Sequence, residues 1–200
     1  MATEKKISMW KIETLGDEPM WYLGYGSNMK ASSINDRNIT PVATKVVNVP
    51  THYVTFDIFG IPYSEPCYAS IEEFPDGGNG ELQVIHGKTC FQVPSICGIA
   101  HLLTPSDFHR LLITEGSGVV YDIVQVEAFV LDERRQNTGE RFTAYTLKAK
   151  WPQRPNGTPS ARYMVSLKQP QLLPIQSQGK KADAEIGSLP TWRKRESSAS

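Results

Sequence analysis

The sequence predicts an α+β fold: a small mixed sheet, strongly curved or barrel-like, accompanied by few helices. Three observations predict it. Strand-like runs recur along most of the chain, one stretch of 15 residues (118–132) alternates cleanly, and a single segment carries a full helix-start signature. Two hundred residues, 40% hydrophobic and 10% aromatic, suit one domain with a sizeable core, or one domain with a tail. We read residues 1–18 as a flexible N-terminus, 19–173 as the domain and 174–200 as a disordered tail rich in Gln, Lys, Ser and Ala.

The first strand, Trp21-Tyr22-Leu23, breaks at a glycine turn, "GYGSN", before a short helix around residues 30–35. "KVVNVPTHYVTFDIF" (45–59) reads as strand, interrupted or bulged at Pro50. "CYASIEEF" (67–74) alternates as another strand, "PDGGNGE" is a loop, and "ICGIAHLLT" (96–104) is a buried strand. A helix starts directly after it. Thr104 supplies the capping hydroxyl, Pro105 the first helical position and Asp107 the acid three residues after the cap. Phe108, Leu111 and Leu112 form its apolar stripe. In "GVVYDIVQVEAFVLD", Val124, Val126, Ala128 and Val130 share one face, and Tyr121, Ile123, Gln125 and Phe129 the other. "ERRQNTGE" then turns the chain into an antiparallel partner at 141–149.

Several function classes lose support at this level. Formal charge is +0, from 21 basic and 21 acidic residues, which disfavours sequence-independent binding to nucleic acid or anionic membrane. The N-terminal stretch has no apolar core of signal-peptide length, and no run approaches a membrane span. Cys67, Cys90 and Cys97 make an odd count without CxxC spacing, which points to a reduced, cytoplasmic protein. Asn38 and Asn156 sit in glycosylation patterns that have no use without secretion. His52, His86, His101 and His109 have no metal-ligand spacing, and no phosphate loop occurs.

Two features call for a chemical reading. Bare N–H groups in the glycine turn could hold an anion, or the turn could be ordinary. Glu115 lies seven residues after Phe108, close to two helical turns, and so projects from the apolar face. Such a carboxylate is costly to bury ionised. Either the helix frays and Glu115 reaches water, or Glu115 is a working acid or base. Gly116 should end the helix as a left-handed cap. Tyr121, six residues on, could steady the carboxylate through its hydroxyl or serve structure alone.

Together these features resemble the γ-glutamyl cyclotransferase family. The matching residues are Tyr22-Leu23-Gly24-Tyr25-Gly26-Ser27-Asn28-Met29, and Glu115-Gly116 followed by Tyr121, over roughly residues 20–168. "FDIFGIPYSEPCYASI" (56–71) is similar to a fungal subgroup found in gliotoxin-type (epidithiodiketopiperazine) biosynthetic clusters. The resemblance implies the family fold, a catalytic Glu115 and release of 5-oxoproline from γ-glutamyl peptides or glutathione-derived conjugates. It implies no cofactor and no metal. It assigns substrate contacts to Tyr22, Leu23, Gly24, Tyr25, Gly26, Ser27 and Asn28, to Tyr121, and to Tyr163 in "SARYMVSL". The N–H groups from Gly24 to Ser27 would hold the substrate carboxylate or a developing oxyanion. Tyr63 and Glu65 could border the leaving-group side, or simply belong to an ordered proline-rich loop. The partner expected is a small γ-glutamyl molecule, with neither nucleic acid nor membrane. Monomer and homodimer both stay open. The competing readings are a non-catalytic binder of the same fold and an adaptor working through the basic tail.

Overall fold

The structure is a computed structural model that describes residues 6–7, 17–61, 63–75, 84–85, 88–89 and 93–168. The expected tail, Cys90 and His86 lie outside the described residues, as does most of the N-terminal stretch. Ten strands and three α-helices are described. They are β1 (Lys6–Ile7), β2 (Met20–Gly24), α1 (Ala31–Asn35), β3 (Ala43–Val49), β4 (His52–Ile61), β5 (Glu65–Glu73), β6 (Val84–Ile85) and β7 (Lys88–Thr89). After these come β8 (Ile96–Leu103), α2 (Pro105–Thr114), β9 (Tyr121–Leu131), β10 (Asn137–Ala149) and α3 (Ala161–Lys168).

Five strands close on themselves in the order β9-β10-β2-β8-β3, with β3 pairing back onto β9. The β2–β10 pair is parallel and the others antiparallel, so the barrel is mixed, as expected. β1 adds antiparallel to β9 outside this ring. β4 and β5 form a separate antiparallel hairpin.

The strand period sorts the core into two sides. Leu23, Val47, Ala100, Val124, Val126, Ala128 and Ala144 share one cluster, drawn from all five barrel strands. Tyr22, Leu103, Ile123 and Leu147 alternate to the other side, where Phe108, Leu111 and Leu112 of α2 cover them. The split of "GVVYDIVQVEAFVLD" into two faces is therefore seen in the packing.

Pro50 interrupts the run 45–59, the first of the two expected outcomes, rather than bulging it. With Thr51 it makes a turn between β3 in the barrel and β4 in the hairpin. The bulge falls at Asp57, where the register shifts between Phe56 and Ile58. A barrel that must close leaves β3 after one pass, and the chain reverses where proline removes a ladder donor.

Helix α2 begins as its sequence dictates, with the Asp107 amide donating to the Thr104 hydroxyl at 3.2 Å. It ends in a Schellman pair: Gly116 N–H reaches Ile113 O at 3.1 Å, and Ser117 N–H reaches Leu112 O at 3.0 Å. Gly116 takes φ +67°, the left-handed position that glycine fills without strain. Fraying of this end is thereby removed as an explanation of Glu115.

Phe108 is fully buried and meets Tyr22 edge-on, with centroids 6.4 Å apart. Replacing Phe108 by Ala should cost about 3–5 kcal/mol. Urea unfolding would show it as a lower midpoint at an unchanged slope.

Candidate active site

The site grows from the end of β2. Gly24 is still paired with Ile99 of β8, and the chain folds back so tightly that a Cβ there would lie 2.7 Å from the Asn28 carbonyl oxygen. A 3-10 turn, Ser27–Met29, follows, closed by Met29 N–H to Gly26 O at 3.0 Å and Lys30 N–H to Ser27 O at 3.2 Å.

Asn28 is buried and spends its polar atoms on structure. Its Nδ2 donates to the Tyr22 hydroxyl at 2.9 Å, and its Oδ1 accepts from Arg37 Nη1 at 2.8 Å. Its carbonyl lies 3.1 Å from His101 Nε2, which must donate to it. Burial lowers the His101 pKa, consistent with a neutral ring that keeps this proton on Nε2.

Arg37 completes the chain. Its Nη1 also donates to Ser33 O at 2.8 Å, and its Nη2 forms an ion pair with Glu115 Oε1. The carboxylate side chain is only 16% exposed, so this guanidinium is the cation that a half-buried Glu115 requires. Asn38, at φ +55°, reverses the chain immediately afterwards, a conformation asparagine tolerates better than most residues. The glycosylation pattern at Asn38 thus falls on a structural turn.

A cavity of about 30 Å³ lies beside this chain. Tyr22, Tyr25, Gly26, Ser27, Asn28, Glu115, Tyr121 and Tyr163 all line it, together with Ala69 of β5 and Leu147 of β10. Eight of the expected site residues therefore meet in one place.

Two expected contacts do not. Leu23 is fully buried in the barrel core, because strand alternation turns it away from its neighbour Tyr22. Gly24 is absent from the cavity lining, held instead in the β2–β8 ladder. Tyr121 does not steady Glu115 either: its hydroxyl donates to Ala69 O at 3.2 Å. The expected donors of the turn are also partly engaged, since a Ser27 backbone hydrogen bond serves the Tyr163 oxygen.

Arg37 and Ala69 escaped the sequence reading. A buried carboxylate implies a cation, but nothing in "INDRNIT" distinguishes Arg37 from the chain's other arginines. Ala69 is visible only as part of an alternating strand. Tyr63 is fully exposed and lies away from the cavity, whereas Glu65 is buried in contacts with Ser160 and Arg162.

The phenols are all held protonated. Burial pushes Tyr22 and Tyr121 well up, and the charge of Glu115 adds to both. Tyr25 is raised mainly by burial, and its hydroxyl donates to Leu147 O at 2.6 Å. Tyr163 is pushed up to about 12 by burial, opposed by backbone hydrogen bonds from Ser27 and Ala69. Among the described residues lining the cavity, Glu115 is the carboxylate.

The fold and this site define an α+β barrel with a carboxylate and a glycine turn at one side. It is similar to a crystal structure of a glutathione-specific γ-glutamyl cyclotransferase from yeast, with TM-score 0.55 and 13% identity over 82% of this chain and 91% of that one. YkqA from Bacillus subtilis gives TM-score 0.55 and 13% identity, over 80% of this chain and 51% of that one. At that identity the likeness concerns the fold alone. No protein-family model matches the chain.

Sequence relatives are nearer. γ-Glutamyl cyclotransferase verK of Clonostachys rogersoniana is 63% identical over 165 residues, covering 82% of this chain and 92% of that protein. γ-Glutamyl cyclotransferase gliK of Aspergillus fumigatus is 46% identical over 72% of this chain and 54% of its own length. γ-Glutamyl cyclotransferase aclK of Aspergillus oryzae is 33% identical over 79% and 57%. The chain thus matches nearly the whole of verK but only about half the length of gliK and aclK. It belongs to the γ-glutamyl cyclotransferase family.

Arg37→Met should lower kcat/KM about 10²-fold, since a small misplacement of an acid–base group costs about that much. Arg37→Lys should restore only part of it, because an ammonium cannot span Asn28, Ser33 and Glu115 as the planar fork does. Comparing kcat/KM with the thermal midpoint of each variant checks this: a loss of activity that merely tracks unfolding contradicts it.

Gly26 has φ −121°, not the positive φ that its place in a glycine turn suggests. Its lack of a side chain matters for another reason: a Cβ would lie 2.7 Å from the Tyr163 hydroxyl. Gly26→Val should therefore displace Tyr163 and weaken ligand binding while changing the thermal midpoint little. Calorimetric titration beside a melting curve separates the two effects.

Proposed function

We propose that the protein converts γ-glutamyl peptides or glutathione-derived conjugates into 5-oxoproline and a free amine. The observation that carries this reading is a cavity-lining glutamate, anchored through Arg37 and Asn28 to the glycine turn, in a chain of this family.

Glu115 takes a proton from the substrate's α-ammonium, and the freed amine attacks its own γ-carbonyl carbon. The new C–N bond closes a five-membered ring and gives a tetrahedral oxyanion. When that collapses, the bond to the leaving nitrogen breaks and Glu115 returns its proton to that nitrogen. Glu115 then takes the second proton, which the ring nitrogen still carries, and passes it to the departing amine, which leaves as an ammonium. The proton count closes and no water is consumed. The protonated phenols of Tyr22, Tyr121 and Tyr163 give the cavity a polar wall for the head group and the developing charge. Because nucleophile and electrophile share a molecule, folding the head group into a ring-closing shape supplies much of the rate.

The similarity to verK and gliK supports a place in fungal secondary metabolism; action on a glutathione conjugate in the cytoplasm belongs to the same proposal. Among the described residues no helix is long and apolar enough to cross a membrane.

Glu115→Gln should cost at least about 10²–10⁴-fold in kcat while leaving the fold and substrate binding nearly intact. An N-acetylated γ-glutamyl conjugate and the α-glutamyl isomer should both be inert, because one lacks the nucleophile and the other the ring-closing carbonyl. A 5-oxoproline assay on these compounds decides the matter. Amine release from the N-acetylated compound would mean hydrolysis, and the cyclisation mechanism would fall.

A further inference from the structure

The cavity of about 30 Å³ is far below the roughly 300–1,000 Å³ of an ordinary small-molecule site. Its narrow part has room for water-sized groups, and a γ-glutamyl head group would enter more freely if part of the wall moved. Most of that wall belongs to barrel strands, the end of α2 and the tight turn, all fixed by ladders or caps. Tyr163 differs. It arrives from α3, whose contacts with the domain, among the described residues, are made through side chains.

The Tyr163 hydroxyl takes backbone hydrogen bonds from Ser27 and Ala69, and the contacts that hold the start of α3 converge on Glu65, at the start of β5. Its Oε2 accepts from the Ser160 hydroxyl at 2.6 Å, and its Oε1 accepts from Arg162 Nη2 at 2.8 Å and Nε at 3.0 Å. These bonds hold the Glu65 carboxyl below its usual range. Ser160 works in two directions, since its oxygen also accepts the Tyr163 amide at 3.0 Å and so caps the first turn of α3. Tyr163 packs edge-on against Phe56 and rests over Gly26.

The segment before α3 is fastened separately. Arg154 bonds Asp57 at 2.8 Å, Gln153 N–H reaches Asp57 O at 2.8 Å, and Gly157 N–H reaches Phe56 O at 2.8 Å. A Cβ on Gly157 would run into Cys67 Sγ, so the chain lies flat against the β4–β5 hairpin there. Fixed backbone ends at Gly157, and the Glu65 contacts begin at Ser160.

We propose that Glu65, Ser160 and Arg162 form a latch holding α3 and Tyr163 over the cavity, and that its release, hinged between residues 157 and 160, admits the substrate. Glu65 is a positioning residue here: it acts through Tyr163 and lies off the cavity lining. The entry function rests on the cyclotransferase reading; the latch itself does not. The resting protein spends part of its time closed, which taxes binding by the fraction closed.

The test uses the full chain and two variants, Glu65→Gln and Arg162→Met. The Arg162 side chain is 77% exposed, so its loss leaves folding intact even should the buried Glu65 variant fold poorly. Hydrogen exchange on ligand-free protein should show amides 161–168 exchanging at least about tenfold faster in both, with β8–β10 unchanged. Association of a γ-glutamyl dipeptide with Glu115→Gln protein, followed by stopped flow, should quicken when either latch variant is added. Unchanged exchange in α3 overturns the latch. Faster exchange with unchanged association shows that α3 opens but is not the entrance, which overturns the gate. Failure of the wild-type protein to make 5-oxoproline would instead sink the catalytic reading, because the exchange measurement needs no ligand.

Discussion

A carboxylate at the end of an apolar helix face must find a cation or lose its charge, and the arrangement around Glu115 follows from that demand. Arg37 meets it, yet a guanidinium beside a buried site is itself costly unless its remaining N–H groups are used. Ser33 and Asn28 take both of those on Nη1. Asn28 then passes the constraint to Tyr22 and, through its carbonyl, to His101. One charge therefore fixes residues from the first barrel strand, the glycine turn, the segment after α1 and β8. The Schellman end of α2 sets the carboxylate's backbone, and the Arg37 fork sets its head.

This division explains why the site lies beside the barrel rather than within it. Alternation along β2 sends Leu23 into a core that contains several alanines, where close-packed strands leave no space. Tyr22 goes to the other side, where α2 covers part of the sheet and ends just where the glycine turn begins. The cavity sits in that gap. Most of its walls are fixed because the barrel is closed, and the element proposed to move is one that no ladder holds.

Much of the fold was legible because its signals are local and physical. The cap at Thr104, the alternation in 118–132 and the left-handed Gly116 each follow from a few adjacent residues. Glu115 and the turn were legible because each violates a local rule, a charge on an apolar face and glycines ending a strand. What pairs them was not. Arg37, Ala69 and the Glu65–Arg162 contact depend on how the closed barrel brings distant segments together, and no periodicity encodes that. The Leu23 side chain falls away from the cavity for a related reason: a sequence motif is contiguous, whereas a strand gives alternate residues to opposite sides. The Pro50 turn shows the same limit, since a break and a change of sheet look alike in one dimension.

Ring closure adds a reason for a cavity that shuts. A γ-glutamyl amide in water has its α-ammonium solvated and its chain extended, and both must be undone before nitrogen meets carbonyl. A site that excludes water strengthens the bond between Glu115 and that ammonium and denies the carbonyl a competing nucleophile. Gly26 fits this requirement, because its missing Cβ is what lets Tyr163 settle against the turn. Under the proposed latch, Gly26 thus serves closure as much as binding. An open turn that merely held an anion would tolerate a larger residue there; one that must seal against a tyrosine cannot.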